Sequence, residues 1–294
     1  MTRGGKVPMV ERTLGVIGGS GLYELPGLEA VERVRVATPF GDPSDEVVLG
    51  RLDSTRLAFL PRHGRGHRLL PTEVNFRANI YAMKTLGVEW IVAVSAVGSL
   101  REEIAPGHVV VPDQFIDRTR HRPDTFFGRG IVAHVGFADP ICPRLARLVA
   151  DAARTEQAAV HVGRVYVCME GPQFSTRAES HLYRSWGGDV IGMTNLQEAK
   201  LAREAEICFV TLALATDYDC WNTAHADVEI GDVLRVLKQN VELARRVVVR
   251  VAADLPARTG CPCPNALQHA IITDRAAIPE TVRRDLAPII GRYL

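Results

Sequence analysis

Short apolar runs alternate with amphipathic stretches along most of the chain. Thr13–Ile17 is a strand-like run that ends in the tight turn Gly18-Gly19-Ser20-Gly21. Glu46–Leu52 and Arg56–Leu60 read as two strands joined across Asp53-Ser54-Thr55, a hairpin. Asn75–Leu86 has helical periodicity, with Phe76, Ile80, Met83 and Leu86 on one side. Trp90–Val94 and Ile207–Ala215 are uninterrupted apolar runs, as expected of strands buried on both faces. Val109–Pro112 and Val162–Met169 are further strands. Helices are expected over Pro143–Ala153, Ser175–Trp186, Gln197–Ala205 and Ile230–Ala253, and a short one from Pro279. This alternation predicts an α/β sheet covered on both faces. There is no internal repeat, and Gly260–Pro264 reads as a loop and not a linker. One domain over 1–294 is therefore expected, with 1–12 a flexible N-terminus and 256–294 a C-terminal extension packed on it.

Composition narrows the functional classes. The 294 residues are 47% hydrophobic and 23% charged, with a formal net charge of +1. Such a balance gives no broad attraction to nucleic acid or to an acidic membrane. No run of 18 apolar residues occurs, and the first ten residues lack the apolar core of a signal peptide. Four of the six cysteines, Cys142, Cys168, Cys208 and Cys220, are scattered through apolar surroundings, which suits a reducing, cytoplasmic setting. Cys261-Pro-Cys263 has no second Cys or His cluster near it in sequence and makes a poor zinc site, so no metal is expected.

Five loops carry candidate chemistry. Gly18-Gly19-Ser20-Gly21 would let backbone N–H groups and a hydroxyl approach an anion, yet it is neither the G-x-G-x-x-G fingerprint nor a P-loop. Arg62-His63-Gly64-Arg65-Gly66-His67-Arg68 follows a strand and offers forked donors to a small oxyanion. Ser95-Ala96-Val97-Gly98-Ser99 also follows a strand and is small enough for close approach, and Thr194 in Met193-Thr194-Asn195 adds a hydroxyl. Asp217 and Asp219 sit at spacing two after the most hydrophobic strand. They share one side if the chain stays extended, and each raises the other's pKa so that one can act as a general acid. Together the loops describe an anionic co-substrate and a leaving group that needs a proton.

These residues resemble the trimeric purine nucleoside phosphorylase family, and within it the branch that acts on 5′-methylthioadenosine. The matching segments include Leu14–Gly21, Thr38–Ser44, Arg62–Arg65, Asn75–Asn79, Gly98–Glu103, Asp113–Arg118, Glu170–Glu179, Gly192–Thr194 and Ala215–Trp221, spanning about residues 13 to 250. The resemblance implies a single-domain, three-layer α/β sandwich with a twisted mixed β-sheet flanked by helices. It implies a pentosyltransferase that uses inorganic phosphate, with no metal or organic cofactor, to release adenine and 5-methylthioribose 1-phosphate. Gly19, Ser20, Arg62, His63, Ser95 and Thr194 fall on phosphate-binding positions, with Ala96 beside them. Ala96 and Met193 line the ribose, and Phe174, Asp217 and Asp219 the base. Ile230, Val233 and Leu234 fall on the pocket for the 5′ substituent. His134 aligns with a histidine that a neighbouring subunit contributes, so a homotrimer is implied.

Members that use 6-oxopurines resemble one another in carrying Glu and Asn where this chain has Asp217 and Asp219. A carboxylate accepts from adenine's amine, and a protonated partner donates to N7. Aliphatic side chains at Ile230, Val233 and Leu234 suit a methylthio group and would leave a hydroxyl unpaired. On this reading Asp217 carries the proton and Asp219 supports it. The chain departs from the family at Gln197, where proline is common, and its C-x-C resembles one that is oxidised in heat-stable members, with no disulfide implied here. The alternatives are a phosphorylase preferring methylthioinosine, adenosine or inosine, a nucleoside hydrolase, and a nucleotide-binding sensor.

Overall fold

A computed structural model of the chain describes residues 12–19, 22, 25–222, 230–258 and 260–294, the side chains of 230–235 and 237 apart. Its backbone is organised by three apolar strands, β1 (Arg12–Gly18), β5 (Trp90–Ser99) and β9 (Cys208–Asp217). β5 runs parallel to β1 on one side and to β9 on the other, with Trp90 opposite Leu14 and Cys208. Leu14, Ile17, Trp90, Ile91, Val92, Val210 and Leu212 are buried at this seam, which forms the middle of the main core. Fully apolar runs are what strands covered on both faces require.

The remaining strands are β2 (Glu29–Val34), β3 (Val47–Leu52), β4 (Thr55–Pro61), β6 (Val109–Arg118), β7 (Val160–Met169) and β8 (Val190–Gly192). They complete a mixed sheet in the order β2-β3-β4-β1-β5-β8-β7-β6-β9, and β9 also pairs with β5. β5, β8, β7, β6 and β9 therefore close into a ring, while β2, β3, β4 and β1 extend from it as an open sheet. The sheet is the twisted mixed sheet flanked by helices expected from sequence, and the ring is a detail that reading did not specify. The β3–β4 hairpin turns on Asp53 at φ 51°, a left-handed position that Asp tolerates. Around the sheet lie α1 (Phe76–Thr85), α2 (Pro143–Thr155), α3 (Arg177–Ser185), α4 (Asn195–Glu204) and α5 (Ile230–Ala253).

Most boundaries match the apolar pattern to within two residues, and the exceptions have local reasons. β2 was not expected: it is an exposed edge strand with a bulge between Glu29 and Glu32, so no apolar alternation marks it. β5 and β6 run on past the predicted Val94 and Pro112 through stretches where small or polar residues break the apolar run, and these pair with β8, β9 and β7. The C-terminal segment shares the main core through Ile278, Val282, Leu286, Ile289 and Ile290. Glu206 secures it by accepting from Leu267 N at 2.9 Å and from Tyr293 Oη at 2.5 Å. Residues 1–11, within the stretch expected to be a flexible N-terminus, lie outside the described residues. The C-x-C of this segment is not isolated: Cys261 and Cys263 meet Cys142 and Cys208, which lie far away in sequence.

Candidate active site

The phosphate-type loops sit at the carboxyl ends of β1, β4 and β5 and at the start of α4. Arg62 follows β4 and is 3% exposed. Its backbone N donates to Gly18 O at 2.9 Å, which ties the β4 exit to the β1 exit. Its guanidinium donates from Nε and Nη2 to the two carboxylate oxygens of Glu198 at 2.5 and 2.9 Å, and from Nη1 to Val94 O at 2.9 Å. The fork expected to grip an anion is thus largely committed to Glu198. Burial opposes the charge of Arg62, but the Glu198 carboxylate outweighs it and holds the pKa above its ordinary value.

His63 Nδ1 lies 2.9 Å from Leu69 O, so Nδ1 carries the hydrogen and Nε2 keeps a lone pair. Burial, with the charge of Arg62 adding, pushes its pKa down to about 4. The imidazole is therefore neutral near pH 7. The loop turns at Gly64, φ 70°, where a Cβ would come within 2.9 Å of Arg68 Nε and 3.1 Å of Ser44 O. Only glycine suits both the dihedral and the space. Asn79 in α1 holds the Ser44 loop by accepting from Ser44 N at 2.8 Å and donating to Ser44 Oγ at 2.9 Å. Arg65 turns away to Asp45 and Glu46, so much of this basic cluster is neutralised within the loop.

Ser95 is buried on β5, whereas Ala96, on a strand paired on both sides, is exposed. An exposed residue in the middle of a sheet marks a hollow over it. Thr194 is 4% exposed and is the N-cap of α4, yet its hydroxyl does not cap the helix. The hydroxyl stands at the end of α4 where backbone N–H groups and the helix dipole favour an anion. Gly19 faces open space. Ser20 lies outside the described residues.

The acidic half lies at the exit of β9. The chain does not stay extended there: Asp219 opens a short 3-10 turn, Asp219–Trp221, with φ 43°. Asp217 accepts on both oxygens, from Thr216 Oγ1 at 2.7 Å and from the Asp219 backbone N at 2.8 Å. Asp219 Oδ2 is buried without a hydrogen-bond partner. Burial first, and then the charge of Asp217, raise the Asp219 pKa above the usual carboxylate range against the pull of the Ser180 hydroxyl. Asp219 therefore keeps a proton to higher pH than an ordinary carboxyl, while Asp217 takes its donors from the adjacent hydroxyl and backbone. Gly98 lets the pair sit against β5, since a Cβ there would lie 3.1 Å from Asp217 Oδ1. The turn is fixed by Trp221, which donates to Ser99 O at 2.8 Å and lies 3.5 Å beneath the Arg184 guanidinium.

Met193 connects β8 to α4 and packs against Gly171, where a Cβ would meet its sulfur at 2.6 Å. Arg122, 9% exposed, binds the Met193 carbonyl, Gln197 Oε1 at 3.1 Å and Glu170 Oε1 at 3.3 Å. Gln197, where the family often has proline, is fully buried and donates to Thr119 Oγ1 at 2.8 Å. Arg122 and Glu198 were not singled out from the sequence. Two expected residues are not enclosed by this chain alone: Phe174 is 83% exposed and His134 is exposed. The side chains of Ile230, Val233 and Leu234 lie outside the described ones, although α5 begins at Ile230. A cavity of about 870 Å³ beside α2 and β6 contains none of these candidates.

Comparison with known proteins identifies the family. Residues 13–253 match the model of the phosphorylase superfamily. The S-methyl-5′-thioadenosine phosphorylase of Geobacter sulfurreducens is 59% identical, over 97% of this chain and 100% of its own length. That of Koribacter versatilis is 57% identical, over 97% of each. The crystal structure of a methylthioadenosine phosphorylase from an antarctic soil metagenomic library has a TM-score of 0.90 at 47% identity, covering 95% of this chain and 99% of that one. A mutant adenosine/methylthioadenosine phosphorylase from Schistosoma mansoni, in complex with methylthioadenosine, has a TM-score of 0.79 at 33% identity, covering 96% and 98%. The chain belongs to the phosphorylase superfamily.

Proposed function

We propose that the protein cleaves 5′-methylthioadenosine with inorganic phosphate, giving adenine and 5-methylthioribose 1-phosphate. The carrying observation is the pair Asp217–Asp219 at the β9 exit, one carboxylate accepting from Thr216 and from the Asp219 backbone and the other half-buried beside it with its Oδ2 shielded from water. It faces the same end of the sheet as the hydroxyls of Ser95 and Thr194. The names of the close relatives support the substrate.

On this reading phosphate is held by backbone N–H groups at Gly19 and the start of α4, by the hydroxyls of Ser20, Ser95 and Thr194, and by His63. Arg62, locked to Glu198, ties the β1 exit to the middle of β5 through its contacts with Gly18 and Val94 and gives the half-site its remaining positive field. Ala96 and Met193 line the ribose, and Phe174 covers the base. The bond between C1′ and the base stretches first, and phosphate stabilises the positive charge that develops on the ribosyl group. The acid pair supplies a proton to N7 of the departing adenine and accepts from its amine; burial and the neighbouring carboxylate favour the protonated form of Asp219. Phosphate oxygen then bonds to C1′ with inversion. Nothing bonds covalently to the protein, so positioning supplies much of the acceleration. The reaction uses no metal or organic cofactor, since phosphate and the carboxyl pair supply the charges it needs.

Ile230, Val233 and Leu234, spaced by three and four along α5, receive the methylthio group. The protein works as a homotrimer in which the exposed His134 reaches a neighbour's pocket. It works in the cytoplasm on small molecules and not on nucleic acid or membranes. Among the described residues no helix is long and apolar enough to cross a membrane.

Adenine release from 5′-methylthioadenosine, measured with and without phosphate and beside adenosine, inosine and methylthioinosine, tests the reading. Phosphate-dependent release, fastest with methylthioadenosine, is expected. Turnover of only the 6-oxo nucleosides would overturn the assignment of the acid pair, and release without phosphate would make the protein a hydrolase.

A further inference from the structure

Four of the six thiols converge at one point far from the proposed site. The sulfurs of Cys142, Cys208, Cys261 and Cys263 all lie within 4.8 Å of one another, and Cys208 Sγ is 3.4 Å from Cys261 Sγ. A tetrahedral zinc tetrathiolate has zinc–sulfur bonds of about 2.3 Å, which sets its sulfur–sulfur edges at about 3.8 Å. The cluster already spans that size. We propose that these four cysteines bind a zinc ion that staples the C-terminal segment to the sheet.

Each ligand is placed by an independent piece of backbone. Cys142 is the N-cap of α2, and its N–H donates to Phe209 O at 2.9 Å, which sets it beside the first residue of β9, Cys208. Cys261 and Cys263 flank Pro262, whose φ of −77° and ψ of −16° turn the chain into a 3-10 turn over Cys263–Asn265. The site is closed: Cys142, Cys208 and Cys263 are 1%, 0% and 3% exposed, and only Cys261 is half-buried. Four protein sulfurs leave no coordination position for water, which is the pattern of a structural ion and not a catalytic one. Binding replaces four S–H bonds with four metal–sulfur bonds and releases four protons to solvent, with no oxidant required. The dianionic centre sits against the N-terminus of the 13-residue helix α2, where negative charge is favoured.

Cys208 and Asp217 occupy opposite ends of the ten-residue strand β9, about 30 Å apart at the rise of an extended strand. Residues 261–263 also lie beyond the part of the chain that matches the superfamily, which ends at residue 253. Metal and chemistry are therefore separable by experiment.

The test is metal analysis of the full-length protein purified under reducing conditions with zinc supplied, followed by exchange into cobalt(II). One zinc per chain is expected, and the cobalt form should show thiolate charge-transfer bands with the intense visible absorption of a tetrahedral ion. Cys261→Ser, at the most exposed ligand, should weaken zinc retention at least about tenfold while nucleoside turnover stays unchanged, and chelation should lower the Tm of the parent protein. The proposal fails if the reduced, zinc-supplied protein retains no metal and all six thiols titrate. It also fails if the mass is short by two hydrogens for each disulfide formed among these residues, or if Cys261→Ser holds zinc as tightly as the parent.

Discussion

The exits of β4 and β9 each shield an ionisable group from water, and they treat it in opposite ways. Arg62 has both oxygens of Glu198 and a strand carbonyl around it. Asp219 is half-buried with its Oδ2 shielded from water, and burial, with the Asp217 carboxylate two residues away adding, raises its pKa. A buried charge whose partners are all inside the protein serves to hold the protein together. A half-buried carboxyl beside a second one is strained when ionised. The β4 exit is thus satisfied from within the protein, and on the proposed function the β9 exit is the half that a substrate would complete.

Variants can break or sharpen this contrast. The largest effect is expected at the acid pair: Asp217→Asn and Asp219→Asn should each lower kcat by about 10²–10⁴, with unfolding free energies changed by less than about 1 kcal/mol. Full kcat in both would remove the acid role. Because the folded pKa of Asp219 is raised, its protonated form persists to higher pH. The contribution of Asp219 to stability, and the rate it supports, should both decline as pH rises through that value, and the alkaline limb of the rate profile should vanish in Asp219→Asn. Glu198→Ala should do the reverse at the other half. It leaves the Arg62 charge buried and alone, at a cost of about 3–5 kcal/mol in denaturant unfolding, and a loss below about 1 kcal/mol would show that the pair is not structural.

Smaller effects probe the joints between the halves. Gln197→Ala removes the bonds to Thr119 and Arg122 and should cost about 1–3 kcal/mol, with KM for phosphate changing less than stability does. Arg62→Ala should raise KM for phosphate far more than KM for the nucleoside; equal changes would count against its place in the phosphate half. The smallest is spectroscopic. The imidazole resonances of His63 should titrate near pH 4 in the free protein and move to higher pH when phosphate is added, and an unmoved midpoint would place phosphate elsewhere.

How far the sequence could be read follows from which interactions leave a local trace. β1, β5, β9 and α1–α5 were legible because their apolar spacing reports burial directly. β2 left no trace because its side chains are exposed, and the closure of β5 on β9 left none because it joins segments more than a hundred residues apart. In the site, the strand-exit loops were visible as glycine, hydroxyl and charge. Glu198 was not, since Gln197-Glu198-Ala199-Lys200 looks like a solvated helix face, while its partner Arg62 is 136 residues away. The bend at Tyr218, which puts Asp219 N–H on Asp217, could not be told from an extended exit. The cysteine cluster was hidden for the same reason as Glu198: local spacing describes only half of a meeting between distant segments.

The anchoring of Trp221 has an optical consequence. The three indoles of this chain occupy unlike surroundings: Trp90 is fully enclosed by the core, Trp186 is 45% exposed, and Trp221 bridges Ser99 and Arg184 on the turn that carries the acid pair. Trp90 should emit as a constant background and Trp186 as a surface fluorophore open to soluble quenchers. If a base docks on Asp217 and Asp219 as proposed, the field at Trp221 shifts with it, and the emission of Trp221 should report that the proposed site is occupied.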